Sequence, residues 1–295
     1  MIAKTCRRSG ANRPPLRRAR RIAALIVAGA MVACTATQTT KPGAIGLERT
    51  QRFSALISEQ DLQQGAAQAY QQVLTKAQSQ GALNADARMT QRVRAIAERL
   101  KPHVGVFRTD ALSWNWEANV IRADQLNAWA MPGGKIAFYS GIIEQLQLTD
   151  AEIAAIMGHE IAHALREHGR ERASEQQLSG LLLNGGVILG SVLTGTDLSG
   201  LGQTAQMAYQ VSVGLPNSRL HETEADRVGI ELMARAGYDP RGAIRVWQKM
   251  AARSSGKAGP EFLSTHPSPE SRIADLTDYA RRVMPLYQRA DKAPV

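Results

Sequence analysis

An α+β fold, mostly α-helical with one small β-sheet, is what the 295-residue sequence predicts, and three observations predict it. Apolar residues recur at helical spacing along most of the chain from residue 59 onward, and most runs carry a recognisable cap. Between Phe107 and Tyr139 the texture changes to "SWNWEANVIRADQLNAWAMPGGKIAFYSG", rich in aromatic and β-branched residues and broken by "PGG", which predicts two or three short strands. No repeat period is visible, and a 44% hydrophobic content belongs to a globular protein rather than a disordered chain or a fibre.

The chain opens with eight cations and no acid: Lys4, Arg7, Arg8, Arg13, Arg17, Arg18, Arg20 and Arg21 precede the apolar run "IAALIVAGAMVAC". This is the layout of a secretory leader over 1–33 with its apolar region at 22–32; a permanent anchor helix is the alternative, but the run is short for one. Ala33 and Cys34 in "MVAC" resemble a bacterial lipoprotein signal, in which the cysteine is lipidated. Met31 stands where that pattern usually has Leu, and plain cleavage nearby, leaving Cys34 as a thiol, is the other reading. Without the leader's eight cations, 28 of the 36 basic residues face 26 acidic ones, so the formal +10 falls to +2 and no basic module for nucleic acid remains. Only Cys34 survives beyond the leader, so no internal disulfide can form and any metal site must use His and carboxylate ligands.

Residues 34–46, rich in Thr, Gln, Lys, Pro and Gly, read as a flexible tether, with the folded domain at 47–295. Helices are expected at 59–78 behind Ser58 as N-cap and at 85–100 behind Asn84, ended by Pro102. Trp114, Trp116 and Trp129 read as core or sheet-face packing, though a strand edge open to a peptide is the livelier reading. "LTDAE" then opens a helix with Thr149 and Glu152 as a capping box and an apolar stripe through Ile153, Ile156, Met157, Ile161 and Leu165. The Gly-rich apolar stretch 178–202 reads either as a helical flap beside a site or as ordinary core. Further helices are expected from Asn217 to a Gly237 C-cap, from Asp239 and Pro240, and from a Ser268 cap with Pro269 in the first turn.

"HEIAH" sits inside the capped helix. At 3.6 residues per turn His159 and His163 project the same way, toward one ion, while Glu160 points about 100° aside, next to the ion without binding it. That is the arrangement of a zinc hydrolase: two fixed ligands and a carboxylate to take a proton from water. A third ligand is offered by "HETEAD", where Glu222 and Asp226 again share a helix face; Glu222 can reach the ion, and Asp226 can accept the remaining ring N–H of a liganding histidine. On these spacings Glu224 and His168 read as solvated, His221 points elsewhere on its helix, and His103 reads as a cap or exposed. His266, held in "THP" by a stiff loop, has three open readings: oxyanion donor, reversible plug of the open metal position, or loop anchor.

"HEIAH" followed by "ETEAD" within "SRLHETEADRVG", with "NAWAMPGG" before and "STHPS" after, resembles the HtpX and CAAX-prenyl-protease type of zinc metallopeptidase over roughly residues 59–276. The resemblance implies a gluzincin-type domain with its small sheet beside the HExxH helix, one Zn²⁺ on His159, His163 and Glu222, and Glu160 as general base. It also places Arg219 and Tyr209 among possible oxyanion helpers. Because the multi-span helices of integral-membrane relatives are missing from the pattern, it implies the periplasmic lipoprotein branch: lipid-anchored at Cys34 to the outer membrane, acting on protein or peptide substrates of the envelope, with no nucleic acid. The rival is a latent or non-cleaving quality-control chaperone that keeps a zinc-filled site.

Overall fold

The structure is a computed structural model that describes residues 34–182, 202–254, 261–266 and 271–293. The leader, most of the Gly-rich stretch, the loop after Ser254, and Ser268 with Pro269 lie outside the described residues. In chain order the elements are β1 (Cys34–Thr37), β2 (Gln51–Ser54), α1 (Glu59–Ser79), α2 (Ala87–Leu100), β3 (Glu117–Ile121), β4 (Ala128–Met131), β5 (Lys135–Tyr139), α3 (Ser140–Gln145), α4 (Asp150–Leu165), α5 (His168–Leu182), α6 (Gln203–Tyr209), α7 (Arg219–Arg235), α8 (Arg241–Ser254), α9 (Glu261–Thr265) and α10 (Arg272–Arg289). The architecture is α+β and mostly helical. Among the described residues no helix is long and apolar enough to cross a membrane.

Local chemistry sets the helix starts. Ser58 and Asp86 accept from the N–H groups of Asp61 and Met89 at the openings of α1 and α2, so the second helix starts two residues later than its Asn84 expectation. Asn84 itself takes a left-handed φ of 52° and bonds Val120 on β3. Thr149 and Glu152 form a reciprocal capping box at the head of α4. At the far end Glu167, φ 53°, breaks the helical path, and α5 restarts at His168 in a new direction.

Three strands form the main sheet in the order β3-β5-β4, with β5 parallel to β3 and antiparallel to β4. The turn of the β4–β5 hairpin needs its glycines: Gly133 and Gly134 both have φ 79°, and a Cβ on Gly134 would lie 2.6 Å from the Trp116 ring. Side chains alternate between two apolar clusters. Val120, Ala130, Ile136 and Phe138 join the larger one under α2, α4, α7, α8 and α10. Ile121, Trp129, Met131, Ala137 and Tyr139 face the other, under α1 and α6. Burial on both faces explains why β4, AWAM, and all of β5 after Lys135 are continuous apolar runs. Trp129 is core, whereas Trp114 and Trp116 are half-buried and stack on each other at 5.6 Å.

The 34–46 stretch, expected as a flexible tether, is bonded to the body. β1 pairs antiparallel with β2, the Lys41 N–H donates to Phe107 O at 2.7 Å, and the N–H groups of Ala44 and Ile45 donate to the fully buried carboxylate of Glu231 at 3.0 Å.

Where α4 crosses α7, Gly158 faces Gly229. A Cβ on Gly229 would lie 2.7 Å from the His159 backbone nitrogen, and one on Gly158 would lie 2.8 Å from the Gly229 carbonyl. Only hydrogen at both positions lets the backbones approach this closely. We expect Gly229→Ala to destabilise the protein by roughly 1–3 kcal/mol through overpacking. Gly202→Ala, which meets nothing within 4 Å, is expected to stay near neutral in the same urea titration.

Candidate metal centre

The close crossing sets the "HEIAH" turn of α4 against the "HETEAD" turn of α7, and the end of α9 adds His266. His159, His163, Glu222 and His266, all buried, each offer a donor atom, and the four atoms lie within 4.8 Å of one another. His159 Nε2 is 3.1 Å from His163 Nε2, 3.2 Å from His266 Nδ1 and 3.3 Å from Glu222 Oε2. Glu222 Oε1 is 3.3 Å from His163 Nε2 and 2.9 Å from His266 Nδ1. Donors bound at ~2.0–2.1 Å on a tetrahedron around zinc stand about 3.3–3.4 Å apart, so this donor set, three imidazoles and a carboxylate, fits a zinc ion in type and spacing. A fit of this kind admits His266 as a fourth donor beside the three named from spacing.

Around the donors, polar groups fix each ring. Asp226 Oδ1 lies 2.9 Å from His159 Nδ1. Arg272, from the first turn of α10, donates to Glu222 Oε2 at 2.9 Å and to Asp226 Oδ1 at 2.7 Å, and its guanidinium lies 3.4 Å from the Trp247 ring centroid. Phe262, one turn before His266 on α9, stacks on its ring at 4.2 Å. Glu160 is buried, with Oε1 3.4 Å from His266 Nε2 and free of hydrogen bonds. Burial pushes the Glu160 carboxyl up, while His266, His159 and the backbone of Ala130 on β4 favour its charged form.

Two residues expected in solvent are inside. His168 is fully buried, with Nδ1 2.9 Å from His163 Nδ1 and Nε2 3.0 Å from Glu224 Oε2. The helical spacing argument fails for it because α4 ends at Leu165 and His168 begins another helix. Glu224 is only 1% exposed, since Arg49 and Arg166 cover that face of α7. His221 points away from the donors, to Glu171 Oε2 at 3.0 Å. His103 is half-buried in a 3-10 turn, Arg219 is exposed, and Tyr209 sits in the smaller apolar cluster. Arg272 carried no sequence signal of its own: it is one arginine among many in a terminal helix, and only folding brings it to α7.

Burial pushes His163 and His168 well below the usual imidazole range, so both are neutral. Burial also opposes charge on His159, but the Glu222 and Asp226 carboxylates outweigh it and raise its pKa to about 9 without metal. Glu222 is held well below the carboxylate range, its burial being outweighed by His266 and His159. The metal-free centre therefore carries a proton on His159 at neutral pH that an ion must displace. We expect binding at pH 7 to release about one proton from this site, and affinity to rise with pH up to about 9. Calorimetry in buffers of different ionisation enthalpy checks this. The sign is opposite for the metal-free fold: the raised pKa of His159 stabilises it below about pH 6.5, and that contribution is lost as pH rises through about 9.

The mitochondrial metalloendopeptidase OMA1 of Saccharomyces cerevisiae is 32% identical over 183 residues, 60% of this chain and 50% of the yeast protein. The beta-barrel assembly-enhancing protease of Yersinia pestis is 29% identical over 205 residues, and that of Escherichia coli K12 28% over 207; each match covers 68% of this chain and 40% and 41% of the relative. The chain thus spans half or less of the length of these relatives. The model of peptidase family M48 matches residues 87–280, which include all four converging donors, Glu160, Asp226 and Arg272. On that match the chain belongs to peptidase family M48.

Proposed function

We propose that this chain is a zinc metalloendopeptidase of the bacterial cell envelope, holding one Zn²⁺ on His159, His163 and Glu222. The observation that carries the reading is the convergence of four donor atoms beside the buried, unbonded carboxylate oxygen of Glu160. An ion held there would polarise a peptide carbonyl and acidify the attacking water. Glu160 takes the proton of that water and passes it to the leaving amine. Its raised pKa suits the first half of the transfer, because a more basic carboxylate accepts the proton more readily. Asp226 holds the Nδ1 side of His159, keeping Nε2 for the metal, and Arg272 clamps Asp226 and Glu222 together.

Substrate would run along β4, the sheet edge beside α4. Tyr139 donates to Asn127 O at 3.1 Å, so by the alternation of an antiparallel pair Ala128 and Ala130 turn their backbone groups away from β5. An extended peptide pairing there would lie next to Glu160 without any demand on its sequence. Export through the leader at 1–33 and a lipid on Cys34 would put the domain at the periplasmic face of the outer membrane. Misfolded or misassembled envelope proteins are the proposed substrates, in line with the names of the Yersinia and Escherichia relatives.

A second reading has its own observation. Catalytic zinc sites keep one position open, whereas here His266 stands among the donors. We take His266 as a plug: the resting centre is closed, and peptide enters when His266 leaves. A chain that never opens would be the non-cleaving quality-control chaperone.

Glu160→Gln is expected to keep one zinc per chain and to lose about 10²–10⁴-fold in casein cleavage. Zinc analysis and a casein assay on one preparation check both; zinc with no cleavage by any variant favours the chaperone. His266→Ala is expected to raise the cleavage rate of wild-type protein several-fold, and a rate at or below wild type would remove the plug.

A further inference from the structure

Behind His163, away from the donors, runs a buried chain of side chains to which the proposed reaction assigns nothing. His163 Nδ1 lies 2.9 Å from His168 Nδ1, and His168 Nε2 lies 3.0 Å from Glu224 Oε2. The Glu224 carboxylate accepts further from Arg166, at 2.8 and 3.1 Å, and from both Nε and Nη2 of Arg49, so both of its oxygens are acceptors here. His168 Nε2 must then carry the proton. In a neutral ring that leaves Nδ1 a bare acceptor, so the hydrogen between the two histidines belongs to His163 Nδ1. His163 Nε2 is therefore left with its lone pair aimed at His159 and Glu222.

The far end of this relay is the segment before α1. Besides Glu224, Arg49 holds Glu171 at 2.7 and 2.8 Å; Glu171 receives His221 at 3.0 Å, and the His221 ring stacks on His168 at 4.3 Å. Arg166 donates to Thr40 Oγ1 at 2.8 Å and to the Arg49 carbonyl at 3.0 Å, and Gln51 donates back to the Arg166 carbonyl at 2.8 Å. The two carboxylates and two guanidiniums balance in charge count.

We propose that Arg49, Glu224 and His168 are positioning residues that lock His163 in its metal-binding tautomer, which makes the strap of residues 40–51 a working part of the metal centre. The inference rests on His163 being a ligand. A purely structural role for the cluster would alter stability without altering metal affinity or the protonated nitrogen. Outer hydrogen bonds of this kind contribute to metal affinity through ligand basicity and ring orientation.

The test is zinc affinity of the full chain in detergent, measured by competition with a chromophoric chelator, with melting of the metal-free protein as fold control. His168→Ala is expected to bind zinc roughly 10–100-fold more weakly. His168→Gln, whose amide oxygen can accept from His163 while its NH₂ donates to Glu224, is expected to recover most of that loss. Arg49→Met is expected to lose several-fold, less than His168→Ala because Arg166 still holds Glu224. Affinities in His168→Ala and Arg49→Met within twofold of wild type would overturn the relay, whereas a wild-type chain that binds no zinc would instead sink the metal-centre reading. Should His168→Ala fail to fold, nitrogen-15 NMR of the wild-type histidines decides: Nε2–H on His168 with Nδ1–H on His163 is the expected pattern, and Nδ1–H on His168 overturns it.

Discussion

The close crossing of α4 over α7 is the constraint on which the rest depends. HExxH alone offers two imidazoles on one helix face, and a third ligand on a separate helix is useful only if the two backbones nearly touch. Gly158 and Gly229 make that approach sterically possible. The capping box at Thr149, the apolar stripe of α4 and the sheet against its flank then fix its rotation, so that His159 and His163 face Glu222 rather than the core. The geometry of the candidate metal centre follows from packing, with two glycines at the point of closest approach.

The same packing creates an electrostatic debt that explains the arginines. Glu160, Glu171, Glu222 and Glu224 are all buried, and an unpaired carboxylate in such a place is costly. Arg272 forks onto Glu222 and Asp226; Arg49 and Arg166 fork onto Glu224, and Arg49 onto Glu171. A guanidinium suits each role because its planar donors reach two acceptors at once and stay charged. Of these four, Glu160 alone is left with an oxygen that takes no hydrogen bond, which suits the proton acceptance proposed for it. Without metal the centre satisfies itself with a proton on His159, shared between two carboxylates. A divalent ion replaces that proton, which couples metal loading to pH.

What the sequence revealed was local. Ser58, Thr149 with Glu152, and Gly237 are caps whose signal lies within a few residues, and the helices begin or end beside them. The residues named from i and i+4 spacing on single helices, His159, His163, Glu222 and Asp226, are the ones the structure brings together. Spacing failed where the chain left the helix: the left-handed Glu167 redirects it, so His168 is not where a continued α4 would put it. Composition failed at 34–46, where Gly43 and Gly46, with φ of 65° and 72°, shape a turn that aims two N–H groups at Glu231 instead of loosening a tether. Arg272 and Arg49 were illegible because nothing near them in sequence marks a partner more than forty residues away.

The position of His266 bears on the plug proposed for it. A plug must be good enough to close the site and poor enough to leave. His266 has one ring nitrogen 2.9 Å from Glu222 and 3.2 Å from His159, and among the described residues its other nitrogen meets Glu160, at 3.4 Å. Its ring is steadied by stacking on Phe262 of the same short helix, not by a carboxylate clamp like that on His159. His159 and His163 are built into α4, which is buried along most of its length, whereas His266 follows a five-residue helix. Losing His266 from the donor set therefore disturbs a few local contacts, while losing either of the others would require moving the helix on which the core is assembled.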